Sequence, residues 1–207
     1  MIYDYLIKTF NKGEPFFLSE IPTKSKAYLK LEMKRLVDKG LVSRYLKGVY
    51  YLPYKTILGT DGKVSFNDYI KKKYFYNGDI AIGYLTGVAL ANMYGFTTQV
   101  SAVYSIVSNV ATTKERKLNI KDRRVIIYKP YVKITNENVN ELEFLEMMRI
   151  IDIYAEDKTD EIKKEINKYI ENKKIDFNKV KKYINCFPNI VYKNIYKYGV
   201  MSELVQR

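Results

Sequence analysis

The chain has 207 residues, with 36 lysines and arginines against 23 aspartates and glutamates, and it contains no histidine. The absence of histidine excludes His-based catalytic triads, histidine general bases and histidine metal ligands, and the single cysteine, Cys186, excludes an internal disulfide and a cysteine-rich zinc site. We therefore predict a protein that is not an enzyme and that has no catalytic residue, no metal and no cofactor.

The beginning of the chain predicts a small helical core. Apolar residues at helical spacing predict an amphipathic helix over residues 2–11, which ends near Gly13. Residues 16–21 predict a short second helix or turn, and Pro22 separates it from the next helix. Because Met1 leads directly into the first helix, without the basic start and cleavage site of a signal peptide, we predict a cytoplasmic protein.

The third predicted helix, residues 25–39, has an apolar face and a basic face. The apolar stripe consists of Leu29, Met33, Leu36 and Val37. At about 100° per residue, the opposite face carries Lys24, Ala27, Tyr28, Leu31, Lys34 and Arg35. We expect this second face to enter a groove of DNA. The outward Leu31 has three interpretations at this point: contact with a thymine methyl group, packing on another subunit, or an error of one residue in the helical phase.

Two short strands follow the third helix and predict a hairpin. Residues 41–45 and 49–52 are joined near Gly48, with Arg44 and Lys47 close to the tip. A helix beside a hairpin wing is the layout of a winged helix-turn-helix, so we predict that residues 1–54 form a DNA-binding domain of that type. The candidate DNA-binding residues are Lys24, Ser25, Lys26, Tyr28, Lys34, Arg35, Arg44 and Lys47.

The rest of the chain predicts a linker and a second domain. Residues 55–63 contain two glycines and an aspartate and predict the linker, and residues 64–207 predict a mixed α/β domain. Helices are expected over 65–75 and 80–94, strands over 100–107 and 124–128, and a helical end over 139–155, 160–172, 176–186 and 189–198. The predicted fold class is therefore α+β, with a winged helix followed by a mixed α/β domain that ends in helices.

The apolar run of residues 80–96 raises the alternative of a membrane helix. A membrane span needs about 20 strongly apolar residues, and this shorter run is interrupted by glycine, threonine and asparagine. We therefore expect a helix buried in a protein core and no membrane partner.

The positive charge is concentrated in the first two thirds of the chain. Residues 1–60 hold 11 basic and 5 acidic side chains, residues 61–135 hold 12 and 5, and residues 136–207 hold 13 of each. This distribution favours a front part that contacts phosphate. A candidate second basic surface would extend a nucleic-acid surface or contact a toxin or RNA, with a solvated connection between strands as an equal alternative. Its residues are Lys114, Arg116, Lys117, Lys121, Arg123 and Arg124.

An acidic cluster lies in the helix predicted over residues 139–155. Glu141, Glu143, Glu146 and Asp152 invite an acid–base or metal interpretation, because Glu143 and Glu146 are three residues apart on one helix face. Apolar residues alternate with these carboxylates, and there is no histidine to assist them. We therefore favour an amphipathic helix with a solvated acidic face.

Two blocks of sequence resemble the AbiEi-type antitoxins, which are the antitoxin halves of bacterial abortive-infection toxin–antitoxin pairs. Leu-Val-Asp-Lys-Gly-Leu-Val-Ser-Arg at residues 36–44 and Lys-Gly-Val-Tyr-Tyr-Leu-Pro at residues 47–53 resemble the N-terminal winged-helix domain of the family. Gly-Tyr-Leu-Thr-Gly-Val-Ala-Leu at residues 83–90 and Tyr-Gly-Phe-Thr-Thr-Gln-Val at residues 94–100 resemble the segment that opens its second domain. The tail after Tyr131 carries no motif of the family.

The resemblance implies a function in gene regulation and toxin control. The N-terminal domain would bind inverted repeats in double-stranded DNA upstream of its own operon and repress it, while the C-terminal domain would contribute to antitoxicity. The toxin of the family is a nucleotidyltransferase-like protein, and the resemblance implies no stable complex with it. The alternatives are a winged-helix scaffold used as a protein-interaction module, a transcriptional regulator unrelated to a toxin, and, least favoured, a degenerate nuclease in the second domain.

Overall fold

The computed structural model describes residues 2–156 and 159–201. By its internal contacts the chain divides into two compact units, Met1–Lys73 and Tyr74–Arg207. Each unit has a hydrophobic core of its own, so the two are described separately.

The segment predicted as a linker, residues 55–63, lies inside the first unit. Lys55 forms an ion pair with Asp61 at 2.7 Å, and the Gly62 N–H donates to the Tyr54 carbonyl at 2.9 Å. A Cβ atom at Gly62 would lie 2.1 Å from Cζ of the Tyr54 ring, so only glycine lets the chain pass over this ring. The glycines that predicted a linker are therefore turn residues within the unit.

The first unit combines three α-helices with a three-stranded antiparallel sheet of order β1-β3-β2. Its elements are α1 (Ile2–Thr9), β1 (Phe16–Phe17), a 3-10 turn (Leu18–Glu20), α2 (Lys26–Asp38), β2 (Ser43–Leu46), β3 (Val49–Tyr51) and α3 (Phe66–Ile70), and a π-helical turn (Lys71–Phe75) follows that begins in this unit and ends in the second. The short second helix or turn predicted over residues 16–21 is thus a strand followed by a 3-10 turn. Phe16 pairs with Tyr50 across the sheet, which draws this segment into extended backbone.

The core of the first unit is built from the apolar faces of α1 and α2 and from the sheet. Its buried residues are Leu6, Phe10, Phe16, Ile21, Leu29, Met33, Leu36, Val42 and Leu52. The rings of Phe10 and Phe16 stack with centroids 4.5 Å apart, so the segment after α1 packs directly on β1. Burial of each large apolar side chain stabilises the unit by about 1.5–3 kcal/mol, and α2 contributes three of them. The apolar stripe predicted for this helix is confirmed.

The second unit begins with short strands around a four-stranded sheet and ends in four helices. Its elements are β4 (Tyr76–Asn77), β5 (Ile80–Ala81), β6 (Gly83–Leu85), α4 (Gly87–Met93), β7 (Val103–Ser108), β8 (Glu115–Ile120), β9 (Arg123–Tyr128), α5 (Val139–Tyr154), α6 (Thr159–Lys173), α7 (Phe177–Ile184) and α8 (Ile190–Lys197). The main sheet has the order β6-β7-β9-β8, in which β7 and β9 are parallel and the other neighbours are antiparallel.

The single helix predicted over residues 80–94 is wrong. Two strands and a helix of seven residues occupy this region. At Gly83 the backbone of neighbouring segments comes so close that the side chains around a helix would not fit. A Cβ atom at Gly83 would lie 2.1 Å from the Tyr74 carbonyl oxygen and 2.8 Å from that of Val107. Gly87 has a positive φ of 64°, which interrupts right-handed helical backbone and separates β6 from the rest of α4.

The helical end of the second unit surrounds α5. Every residue from Glu141 to Met148 is buried, and α5 packs against α4, α7 and α8. A helix that is apolar over most of its circumference is expected at the centre of a core rather than on its surface. Because α5 is enclosed on several sides, the amphipathic, solvent-facing helix predicted for this segment is not what the chain forms.

The fold is therefore mixed α+β with a helical C-terminal end, as the order of the predicted elements indicated. Within residues 2–156 and 159–201, every helix is too short or too polar to cross a membrane.

Candidate nucleic-acid interface

The outward face of α2 is the first part of the candidate site. Lys24 precedes the helix, and the other five residues predicted for this face, like Lys24, are exposed. Tyr28 keeps 55% and Leu31 keeps 49% of its surface accessible, whereas Leu29 and Met33 on the other side are buried. The predicted helical phase is thus confirmed, and a phase error no longer explains Leu31. The face presents cations, one phenol and one aliphatic side chain.

Ser25 has a local structural role at the start of this face. Its hydroxyl accepts a hydrogen bond from the Tyr28 N–H at 3.3 Å and so caps α2. The Ser25 N–H in turn donates to the Thr23 hydroxyl at 3.1 Å. These two bonds fix the direction in which Lys24 and Lys26 leave the chain.

The β2–β3 hairpin supplies the second part of the candidate site. Arg44 and Lys47 are exposed, and the Arg44 Nε donates to the Leu46 carbonyl at 3.3 Å. A bulge between Arg44 and Leu46 breaks the regular pairing with β3, and Gly48 turns the chain with a φ of 78°. Lys47 therefore lies in the turn of a defined hairpin, and Arg44 lies two residues before the end of β2.

The helix and the hairpin border one groove of about 610 Å³. Lys26 from α2 and Lys47 from the hairpin line this groove, and Phe17 and Leu29 are among the apolar residues that complete it. Lys30 lines it as well. Sequence reasoning missed Lys30, although its position four residues after Lys26 placed the two lysines on one helix face.

Arg35 differs from the other cations of α2 because it has an acidic neighbour. Its Nη1 atom lies 3.4 Å from Oε2 of Glu32, one helical turn away. An exposed pair of this kind contributes about 0–1 kcal/mol, so Arg35 can exchange Glu32 for a phosphate at small cost.

The six residues of the second basic surface do not form one surface. Four of them are in β8 and β9, where alternation along the strands separates them. Pairing across the hairpin places Lys117 and Arg124 on one face of the sheet and Arg116 and Arg123 on the other. Lys121 lies in the turn between the strands and Lys114 precedes β8, at the opposite end. The prediction of a connection between strands also missed β8 itself.

The predicted solvated acidic face of α5 is wrong for Glu141, Glu143 and Glu146, which are buried, whereas Asp152 is exposed as predicted. Glu141 accepts a hydrogen bond from the Asp176 N–H at 3.2 Å. Each of these carboxylates has its own partner, and none is shared. Among the residues that the structure describes, no group of three or more acidic or cysteine side chains could hold a metal ion.

Glu143 and Glu146 have the more extensive sets of partners. Glu143 accepts from the hydroxyls of Tyr94 at 2.7 Å and Tyr169 at 3.1 Å, and Lys173 Nζ is 3.4 Å away. Burial, together with the charge of Glu143, raises the pKa of both tyrosines, so their hydroxyls stay protonated as donors. Glu146 accepts from the Thr86 hydroxyl and from two nitrogens of the Arg149 guanidinium. Burial of a carboxylate requires such donors.

Another carboxylate, Glu156, is held by the loop of residues 97–99. The Thr97 hydroxyl donates to it at 2.7 Å, the Thr98 N–H at 3.2 Å and the Gln99 amide at 2.9 Å. These hydrogen bonds, that from Thr97 first, lower the pKa of Glu156 from 4.5 to about 2. The polar block Thr-Thr-Gln thus has a structural role, as favoured from the sequence, but its carboxylate partner lies far along the chain and was not predicted.

Glu156 should therefore contribute acid-sensitive stability to the second unit. Since its pKa is lowered on folding, the contribution is present above pH 4.5 and is lost as the pH falls towards 2. We expect Glu156→Gln to unfold more easily than wild type at pH 7, with the difference shrinking at pH 3. Urea unfolding at both pH values measures this. Glu161→Gln, at an exposed position of α6, is the control and should show no such dependence.

No protein-family model and no curated protein matches the chain. The two blocks that resemble the AbiEi-type antitoxins occupy defined places in the fold. Residues 36–53 cover the end of α2 and the β2–β3 hairpin, and residues 83–100 cover β6, α4 and the loop that binds Glu156.

Proposed function

We propose that the first unit is a winged helix that binds double-stranded DNA, and that the protein is an AbiEi-type antitoxin. In this proposal it binds inverted repeats upstream of its own operon, represses transcription and counters a nucleotidyltransferase-like toxin. The toxin part of the proposal rests on the resemblance in residues 36–53 and 83–100. The DNA part also rests on the geometry of α2 and the hairpin.

One observation carries the DNA part: α2 has exposed cations on its outward face, and its Lys26 and Lys30 border the same groove as Lys47 of the hairpin. Phosphate contacts need lysine and arginine side chains, and base contacts need side chains that reach the edges of bases. Lys24, Lys34 and Lys47 serve the first purpose, and Tyr28 and Arg35 are able to serve the second. A helix of 13 residues with an exposed face of this composition matches the size of element that the major groove admits.

Leu31 supports a second candidate, a protein-interaction module. It lies one turn from Tyr28, and the two exposed side chains form a small apolar patch within the basic face. On DNA, the same patch would contact a thymine methyl group. Co-purification of a stable protein partner, without measurable DNA affinity, would favour the second candidate.

The test uses a duplex from upstream of the gene and a random duplex of equal length. Wild type should prefer the upstream duplex in fluorescence anisotropy titrations. Lys24→Ala with Lys34→Ala should weaken binding by about ten- to hundred-fold at about 100 mM salt, because two phosphate contacts contribute about 1.8 to the slope of log affinity against log salt. Both lysines are exposed, so the unfolding curve should not change.

The matched control removes two exposed lysines from α6 and α7 of the second unit, Lys164→Ala with Lys181→Ala. It has the same net charge as the α2 variant and should bind the upstream duplex nearly as wild type does. Equal losses in the two variants would show that only total charge matters and would remove α2 from the interface. Rescue of growth on co-expression with the neighbouring toxin gene tests the antitoxin part independently of DNA binding.

A further inference from the structure

A cavity of about 330 Å³ lies in the second unit, between α5 and one face of the main sheet. We call it the Arg149 cavity. The sheet contributes Ser105, Val107 and Tyr128, whose register places them on the same face. Its volume is at the lower end of the range of about 300–1,000 Å³ that is usual for small-molecule sites.

The charged residues that line the Arg149 cavity are three cations and one carboxylate: Lys114, Lys129, Arg149 and Glu146. Lys114 and Lys129 are adjacent in space, because the Lys129 N–H donates to the Lys114 carbonyl at 3.2 Å. Neither lysine side chain forms an ion pair within the described part of the chain. Their charges are therefore available to a ligand, and the cavity favours an anion.

Glu146 does not oppose an anion, because its charge is already compensated. The guanidinium of Arg149 binds it with Nε to Oε2 at 2.9 Å and Nη2 to Oε1 at 2.6 Å, and the Thr86 hydroxyl adds a further bond. This bidentate pair fixes the plane of Arg149 and uses two of the five N–H donors of the side chain. The Nη1 donors make no hydrogen bond to any described residue, so the pair positions them for a ligand.

Aromatic side chains complete the lining. Tyr128, Tyr131 and Tyr154 border the cavity, and the Tyr131 ring packs on Phe187 with centroids 4.8 Å apart. Tyrosine rings next to cations are the combination that binds a phosphate joined to a planar base. The cavity beside α6 differs, because its two glutamates balance its two lysines.

We propose that the Arg149 cavity binds a mononucleotide, with its phosphate held by Lys114, Lys129 and Arg149 and its base packed against the rings of Tyr128 and Tyr131. This site is separate from the proposed DNA interface, since all of its residues belong to the second unit. Arg149, Lys129 and the tyrosines were not singled out from the sequence. The only local signal was the spacing of Glu146 and Arg149, which permits a pair across one helical turn.

Isothermal titration calorimetry of the full chain tests the proposal with three kinds of ligand: the ribonucleoside monophosphates, the corresponding nucleosides and inorganic phosphate. Buffer alone serves as the blank. At least one monophosphate should bind saturably with a dissociation constant below about 1 mM. Lys114→Ala with Lys129→Ala should weaken this binding at least tenfold, and Lys181→Ala should leave it unchanged. Arg44→Ala with Lys47→Ala in the first unit should also bind the monophosphate as wild type does.

Several results would overturn the proposal. Absence of binding by all monophosphates is one. Equal affinity for inorganic phosphate would remove the base from the site, and equal affinity for a nucleoside would remove the phosphate. Unchanged affinity in the double lysine variant would place the ligand elsewhere. Loss of monophosphate binding in the hairpin variant would assign the ligand to the DNA interface, so failure here is distinguishable from failure of the proposed function.

Discussion

The affinity of the protein for its upstream duplex should fall about 10³-fold when the salt concentration rises from 50 to 200 mM, because bound cations release counterions from DNA. Six cations of the candidate interface are available to do this. They are Lys24, Lys26, Lys34, Arg35, Arg44 and Lys47. If all six neutralise phosphates, the slope of log affinity against log salt is about −5. Anisotropy titrations at several salt concentrations measure it.

Removing the two cations of the hairpin tests this expected salt dependence most directly. Arg44→Ala with Lys47→Ala removes two of the six cations and should reduce the magnitude of the slope by about 2. Lys164→Ala with Lys181→Ala, in the second unit, should leave the slope as it is. A wild-type slope near zero would contradict binding through phosphates, and an unchanged slope in the hairpin variant would remove the hairpin from the proposed interface.

Glu146→Leu should destabilise the second unit by about 3 kcal/mol, because it leaves a guanidinium without its carboxylate. Removal of one partner of a buried pair costs about 3–5 kcal/mol. The lower end applies because the Arg149 side chain keeps 30% of its surface in solvent. A guanidinium stays protonated in proteins, so Arg149 cannot become neutral to relieve the loss. Urea unfolding at pH 7 gives the free energy.

Two further variants distinguish the loss of the Glu146–Arg149 interaction from a general effect of substitution in or near α5. Glu146→Leu with Arg149→Met removes both charges and should recover at least 1 kcal/mol of the loss, as expected for residues in direct contact. Glu137→Gln, at an exposed position just before α5, should be close to neutral. Additive losses in the double variant would mean that Glu146 and Arg149 do not stabilise one another.

Patterns within one helix predicted the structure well, and contacts between distant segments did not follow from them. The apolar stripe of Leu29, Met33 and Leu36 defined both faces of α2, because helical spacing alone decides which residues share a face. For Glu143, the same spacing correctly predicted a helix, but the predicted exposure of the Glu143 side chain was wrong. Its donors, Tyr94 and Tyr169, lie far away in sequence, so no local pattern could reveal them.

The candidate site likewise has a part that local sequence patterns predicted and a part that they did not. The cations of α2 and of the hairpin could be predicted, because both elements are local and their exposed positions follow from spacing. The groove that joins Lys26 to Lys47 depends on how the helix packs beside the sheet, which the sequence does not show. The residues 114–124 were grouped by closeness in sequence, yet strand alternation divides them between two faces.

The close packing at Gly83 limits what the motif Gly-Tyr-Leu-Thr-Gly indicates about a protein that contains it. No side chain fits there, and Gly87, four residues later, has a backbone conformation that other residues rarely adopt. Selection on these two positions would therefore preserve a joint between a strand and a helix rather than a binding surface. Proteins that share Gly-Tyr-Leu-Thr-Gly with this chain are expected to share that joint, and their ligands should vary with the side chains that surround it.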